Sequence, residues 1–267
     1  MNTIQRLLIL PVVLFAVSTG FSQQPSKTTE APAQSADGAA KTSNAACIPV
    51  PRTEPWAVTQ HESILSIFKS PNLRVVFLGD SITHGLQFGA GPEAGAAVWA
   101  EHFAPLSAAA FAVPGDKTQH VLWPISEGGE LDGLHPKVVV ILIGVNNLVA
   151  KDTPEETAAG VTAIVQETES RLPGAKILLM GIFPCFVRGS VQETNEIIAK
   201  LEDLKQVYFL DIGDQLGGPG ILRDGIHPSE AGYRIWAEAM QPYLDDLLKN
   251  DGNGELWKNR VDGKPSN

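Results

Sequence analysis

Five runs of apolar residues, at 74–79, 108–113, 138–144, 176–182 and 207–212, carry none of the alternating polar positions that a half-exposed strand shows. A strand with one face in water alternates, whereas one covered on both faces reads as a continuous apolar stretch, the habit of parallel sheets. Helical patterns lie between the runs, at 95–103, 118–126, 154–172 and 190–204, and another at 229–248 closes the series. The longest is punctuated at both ends. Thr153 stands before Pro154 and the acidic pair Glu155-Glu156, and Pro173-Gly174 stops it. Strands alternating with helices predict an α/β protein, a three-layer α/β/α sandwich around a five-stranded parallel sheet. No internal repeat is visible.

The sandwich is expected over 51–250. Residues 1–22 combine Arg6, an apolar stretch over 7–17 and the small residues Ser18, Gly20 and Ser22, the make-up of a cleaved secretory signal peptide. The apolar stretch is shorter than a spanning helix of about 20 residues and contains Pro11. A secreted or periplasmic protein without a membrane span in its mature form is therefore expected. Residues 23–50 are rich in Ala, Ser, Thr, Gln and Pro and read as a flexible linker, and 251–267 read as a polar tail. The 267 residues carry 20 Lys+Arg against 30 Asp+Glu, a net charge of -10 with no basic cluster, which argues against nucleic acid and anionic membrane surfaces as partners. The two cysteines, Cys47 and Cys185, leave open one disulfide or two free thiols.

In an open parallel sheet the ligand crevice lies outside the carboxyl ends of the strands. Small and polar residues gather just beyond the apolar runs: Gly79-Asp80-Ser81, Pro114-Gly115-Asp116, Gly144-Val145-Asn146-Asn147 and, before the last helix, Asp224-Gly225-Ile226-His227-Pro228. Each has a bland reading. Ser81 suits a helix cap, Gly115 a tight turn, Asn146 and Asn147 the cap of a following helix, and His227 a surface helix start. Together they make a chemistry. A serine hydroxyl needs a base to take its proton, and the base needs a carboxylate to fix its tautomer. Asp224 and His227, three residues apart, can place a carboxylate on one ring nitrogen while the other faces Ser81, and Pro228 restricts His227 to extended backbone. The backbone N–H groups of Ser81 and Gly115 and the side-chain amide of Asn146 can serve as an oxyanion hole.

The blocks GDSIT (79–83), VPGDKTQHVLW (113–123), GVNN (144–147) and DGIHPSEAGYRIW (224–236) resemble the SGNH, or GDSL-type, hydrolase superfamily over roughly 56–245, and within it the platelet-activating-factor acetylhydrolase catalytic-subunit branch. The resemblance implies a flavodoxin-like fold and ester hydrolysis without metal or cofactor. It carries catalytic roles to Ser81, Asp224 and His227 and oxyanion roles to Ser81, Gly115 and Asn146. It further implies a serine esterase that removes small acyl groups, acetyl foremost, from a small-molecule, glycan or lipid ester, and allows a homodimer. Two alternatives keep the blocks: a lysophospholipase or thioesterase with the same triad, and a catalytically silent carbohydrate- or partner-binding domain. Four positions depart from the branch pattern. Pro114 replaces a glycine of Gly-Gly-Asp, Val145 a common threonine, Pro124 a common arginine after Leu122-Trp123, and Cys185 the arginine of a frequent FPR. Trp99, Trp123, Tyr233 and Trp236 read as packing residues, Asp116 as a residue that orders the glycine loop, and His84, His102, His120 and His135 lack metal-ligand spacing.

Overall fold

The computed structural model describes residues 44–67, 72–89 and 94–257. The expected signal peptide and residues 23–43 of the expected linker lie outside the described residues. Five strands, β1 (Val75–Gly79), β2 (Ala108–Ala112), β3 (Val138–Leu142), β4 (Lys176–Met180) and β5 (Val207–Leu210), pair in the order β2-β1-β3-β4-β5, all parallel. Val75 faces Ala108 on one side and Val138 on the other, so strand order reverses beside β1. Helices α1 (Pro55–Ile67), α4 (Thr118–Ser126) and α6 (Pro154–Arg171) cover one face, and α2 (Ser81–Phe88), α3 (Ala96–His102) and α8 (Glu230–Asn250) the other. The short α5 (Val145–Val149) follows β3, and α7 (Arg188–Ile198) follows β4.

The absence of alternation in the apolar runs has a plain cause in the core. Val75 and Phe77 point into one layer while Val76 and Leu78 point into the other, and β3 divides its residues in the same way. Trp99, Tyr233 and Trp236 are buried, with Trp99 and Trp236 set edge-on to Phe77 at 5.2 and 6.3 Å. These aromatics are core, as the sequence predicts.

The boundaries differ from expectation in ways that burial explains. Strands β3, β4 and β5 end at Leu142, Met180 and Leu210, short of 144, 182 and 212, because Ile143, Ile182 and Ile212 stay buried after the chain has left the sheet. Helix α7 gives way to a 3₁₀ turn at Ala199–Leu201 well before residue 204. There Asp203 Oδ1 accepts from the N–H groups of Lys205, Gln206 and Val207 and sets up the entry to β5. Helix α1, absent from the expected series, buries only Ala57 and Ile64 and so has no apolar stripe to announce it.

The folded body also reaches past 51–250 at both ends. A 3₁₀ turn at Ala45–Cys47 buries Ala46, whose carbonyl accepts from Thr118 Oγ1 at 2.9 Å, and the Val50 N–H donates to Gln119 O. At the other end Trp257 is buried against Tyr208 and Tyr243, with ring centres 4.8 and 4.9 Å apart. Cys47 and Cys185 are both free thiols. Among the described residues no helix is long and apolar enough to cross a membrane.

Candidate active site

Gly79 ends β1 where a Cβ would lie 2.6 Å from Leu142 O of the neighbouring strand, too close for any side chain. Asp80 follows as the N-cap of α2, accepting from the Ile82 N–H at 2.9 Å. The capping role that sequence allows for Ser81 thus falls to Asp80, and Ser81 becomes the first helical residue. Its Oγ lies 2.8 Å from His227 Nε2. On the far side of the ring, His227 Nδ1 lies 2.7 Å from Asp224 Oδ2, while Asp224 Oδ1 accepts from the backbone N–H groups of Ile226 and His227 at 3.0 and 2.8 Å. Partial burial works to raise the Asp224 carboxyl, but the hydrogen bonds from His227 and Ile226 outweigh it and hold it down to about 2. An ionised carboxylate at that distance selects the tautomer with the proton on Nδ1, which leaves Nε2 free to accept from Ser81.

The residues after β2 and β3 converge on the same edge. Gly115 has φ of +81°, a left-handed conformation that glycine adopts at no steric cost, and is exposed. Asn146 Nδ2 donates to Asp116 O at 2.9 Å and, over a longer contact of 3.3 Å, to Asp80 Oδ2. The amide therefore bridges the Gly115 loop to the residue preceding Ser81. Asn147 faces away. Fully buried, it accepts from the Thr118 N–H at 2.9 Å and donates to Thr118 Oγ1 and Asp152 Oδ2, bracing the start of α4. Of the two asparagines, one is in the site and one is structural.

Three groups of the site are given no role in it by the sequence. Asp80 is buried beneath the serine, and burial pushes its carboxyl up to about 6 against the opposing Ile82 hydrogen bond and the charge of His227. Arg223 and His84 line the cleft at Ser81, which measures about 280 Å3 and is otherwise walled by Gly85, Gly89, Ala94 and Pro114, with His227 and Tyr233. His84 is tilted against Phe88 at 5.1 Å. The Tyr233 hydroxyl donates to Ile82 O at 3.1 Å, tying α8 to the serine helix. Among the described residues no three His, Cys, Asp or Glu side chains cluster as metal ligands.

A strand-end serine hydrogen-bonded to a histidine and an aspartate from the connection before α8 defines a class of hydrolase: residues 77–235 match the GDSL-like lipase/acylhydrolase family, to which the chain belongs. It is an ester hydrolase of that family. The chain is 32% identical over 208 residues to human platelet-activating factor acetylhydrolase IB subunit alpha1, covering 72% of this chain and 84% of that one. Among solved structures, a GDSL-like lipase from Bacteroides thetaiotaomicron shares the fold with a TM-score of 0.59 at 17% identity, over 70% of this chain and 97% of that one. An acetylxylan esterase from Geobacillus stearothermophilus does so with a TM-score of 0.51 at 20% identity, over 67% and 95%.

Proposed function

We propose that the protein is a serine esterase that removes small acyl groups, acetyl foremost, through an acyl-enzyme. The observation that carries this reading is the unbroken hydrogen-bonded line from Ser81 Oγ through the His227 ring to Asp224, opening on a small cleft. Ser81 Oγ attacks the ester carbonyl as His227 Nε2 takes its proton, and Asp224 stabilises the resulting imidazolium. The tetrahedral oxyanion accepts from the N–H groups of Ser81 and Gly115 and from Asn146 Nδ2. His227 then returns the proton to the departing alcohol. Water attacks the acyl-enzyme by the same exchange in reverse and frees Ser81.

The acyl preference rests on the cleft walls. Gly85, Gly89, Ala94 and Pro114 give a short chain room and offer no long apolar channel among the described residues. An acetylhydrolase and an acetylxylan esterase among the similar proteins support the same acyl group. Residues 1–22 support export, so N-terminal sequencing of the mature protein is expected to begin near residue 23 and to recover it outside the cytoplasm. A homodimer, which the family resemblance allows, is tested by the mass measured in light scattering.

The deciding measurement is hydrolysis of p-nitrophenyl acetate, butyrate and octanoate by the native protein and Ser81→Ala. Acetate is expected to be the best substrate, and the variant to lose about 10⁴-fold or more in kcat. A preference for octanoate would move the reading to a lipid hydrolase. No Ser81-dependent turnover on any ester would leave a silent binding domain.

A further inference from the structure

The loop that carries Gly115 is unusual in what lies behind it. Its inner side faces a cavity of about 70 Å3, lined by Arg52, His61, Val113, Asp116, His120 and Glu130 among others. A loop backed by a void lacks the close packing that fixes most core-facing backbone. One side chain reaches across. Arg52 Nη1 lies 2.7 Å from Asp116 Oδ1 and donates to Pro114 O at 3.4 Å, so a single guanidinium nitrogen grips the residues on both flanks of Gly115. It is also the atom nearest to where a Gly115 Cβ would stand, at 3.8 Å.

The grip is firm because the guanidinium is itself held. Its Nε and Nη2 donate to the two oxygens of Glu54 at 3.0 Å each, and it lies over the Trp56 ring at 5.2 Å. Asp116 is almost wholly buried, and Arg52 is its one ion-pair partner among the described residues. Burial pushes the Asp116 carboxyl up to about 8, with the Arg52 charge and hydrogen bond opposing. Loss of the arginine would leave this buried carboxyl without its side-chain hydrogen-bond partner.

We propose that Arg52, contributed by the segment just before α1, is a positioning residue for ester hydrolysis: it clamps Pro114 and Asp116 so that the Gly115 N–H stays aimed at the developing oxyanion. The inference rests on the reading of Gly115 as an oxyanion donor. Pro114 sharpens the need for it. A proline fixes its own φ but leaves the peptide beyond it to be set by contacts, and Arg52 makes them on either side of Gly115.

The test measures kcat and KM for p-nitrophenyl acetate in the native protein, Arg52→Gln, Arg52→Lys, Asp116→Asn and the Arg52→Gln/Asp116→Asn pair, with thermal unfolding of each. Arg52→Gln is expected to lower kcat about 10- to 100-fold, less than the ~100- to 1000-fold for deleting a donor outright, with KM held within about twofold. Arg52→Lys keeps the charge without the fork and should recover part of the loss. The paired variant should be no slower than Arg52→Gln alone, because both changes break one contact. Native kcat in Arg52→Gln, or losses that simply add in the paired variant, would overturn the inference. If Arg52→Gln does not fold, Arg52→Lys and Asp116→Asn decide by the same split between kcat and KM. Absence of Ser81-dependent turnover in the native protein overturns the esterase reading and this inference together, whereas native turnover with an unimpaired Arg52→Gln overturns this inference alone.

Discussion

In the proposed mechanism His227 serves Ser81 with its proton on Nδ1, and Asp224, 2.7 Å from that nitrogen, is the group that holds it there. Asp224→Asn would offer an amide in place of the carboxylate oxygen and favour the wrong tautomer, so kcat is expected to fall on the order of 10³- to 10⁴-fold. The same carboxylate contributes to stability with a definite sign. Its folded value of about 2 lies below the ordinary 3.8, so the contribution is fully present above about pH 4 and is lost as pH falls through about 2. Urea unfolding of the native protein and Asp224→Asn at a series of pH values should show the native advantage narrowing across that window. A constant gap would mean that the substitution acts through something other than the charge.

At the scale of elements, the two adjacent asparagines after β3 make opposite predictions. Asn146→Ala is expected to cost ~100- to 1000-fold in kcat with a small change in melting temperature. Asn147→Ala leaves the buried Thr118 N–H without its acceptor and should cost about 1–3 kcal/mol in unfolding free energy while kcat is largely kept. The sequence places both at the strand end and assigns the oxyanion role to Asn146 through the family resemblance, but it gives Asn147 no role beyond that of a helix cap. The strands themselves were legible because a parallel strand buried on both faces has no polar interruption. Helices α1 and α5 were not, the first for want of an apolar stripe and the second because five residues hold little more than one turn. The hydrogen-bonded line Ser81–His227–Asp224 was legible because Ser81 follows a strand end and Asp224 and His227 share a short Asp-x-x-His spacing before the last helix. Arg52 was hidden because its partners, Pro114 and Asp116, lie 62 and 64 residues away in a segment pairing that no local pattern encodes.

Across the whole molecule, the ends of the chain do more than the sequence promised. Trp257, in what reads as a polar tail, is 1% exposed and packs on Tyr208 of β5, two strands beyond β3 and away from β1. Trp257→Ala is expected to cost about 3–5 kcal/mol, measured by denaturant unfolding, and to leave kcat of the folded protein unchanged. A tail residue of no structural weight would show neither effect. Composition could not reveal this, because one aromatic among polar neighbours carries no periodicity.

The bond between Ser81 and His227 spans 146 positions of the chain, and Tyr233 then fastens the final helix back onto the first residues after the serine. The consequence is one of timing. A growing polypeptide presents its serine early, yet the proposed base, His227, comes 146 positions later, immediately before the last helix. On the proposed mechanism, partial chains that stop ahead of residue 227 are expected to show no esterase activity. Hydrolytic power on that mechanism therefore switches on late, once the segment carrying His227 and Tyr233 has been made and has docked.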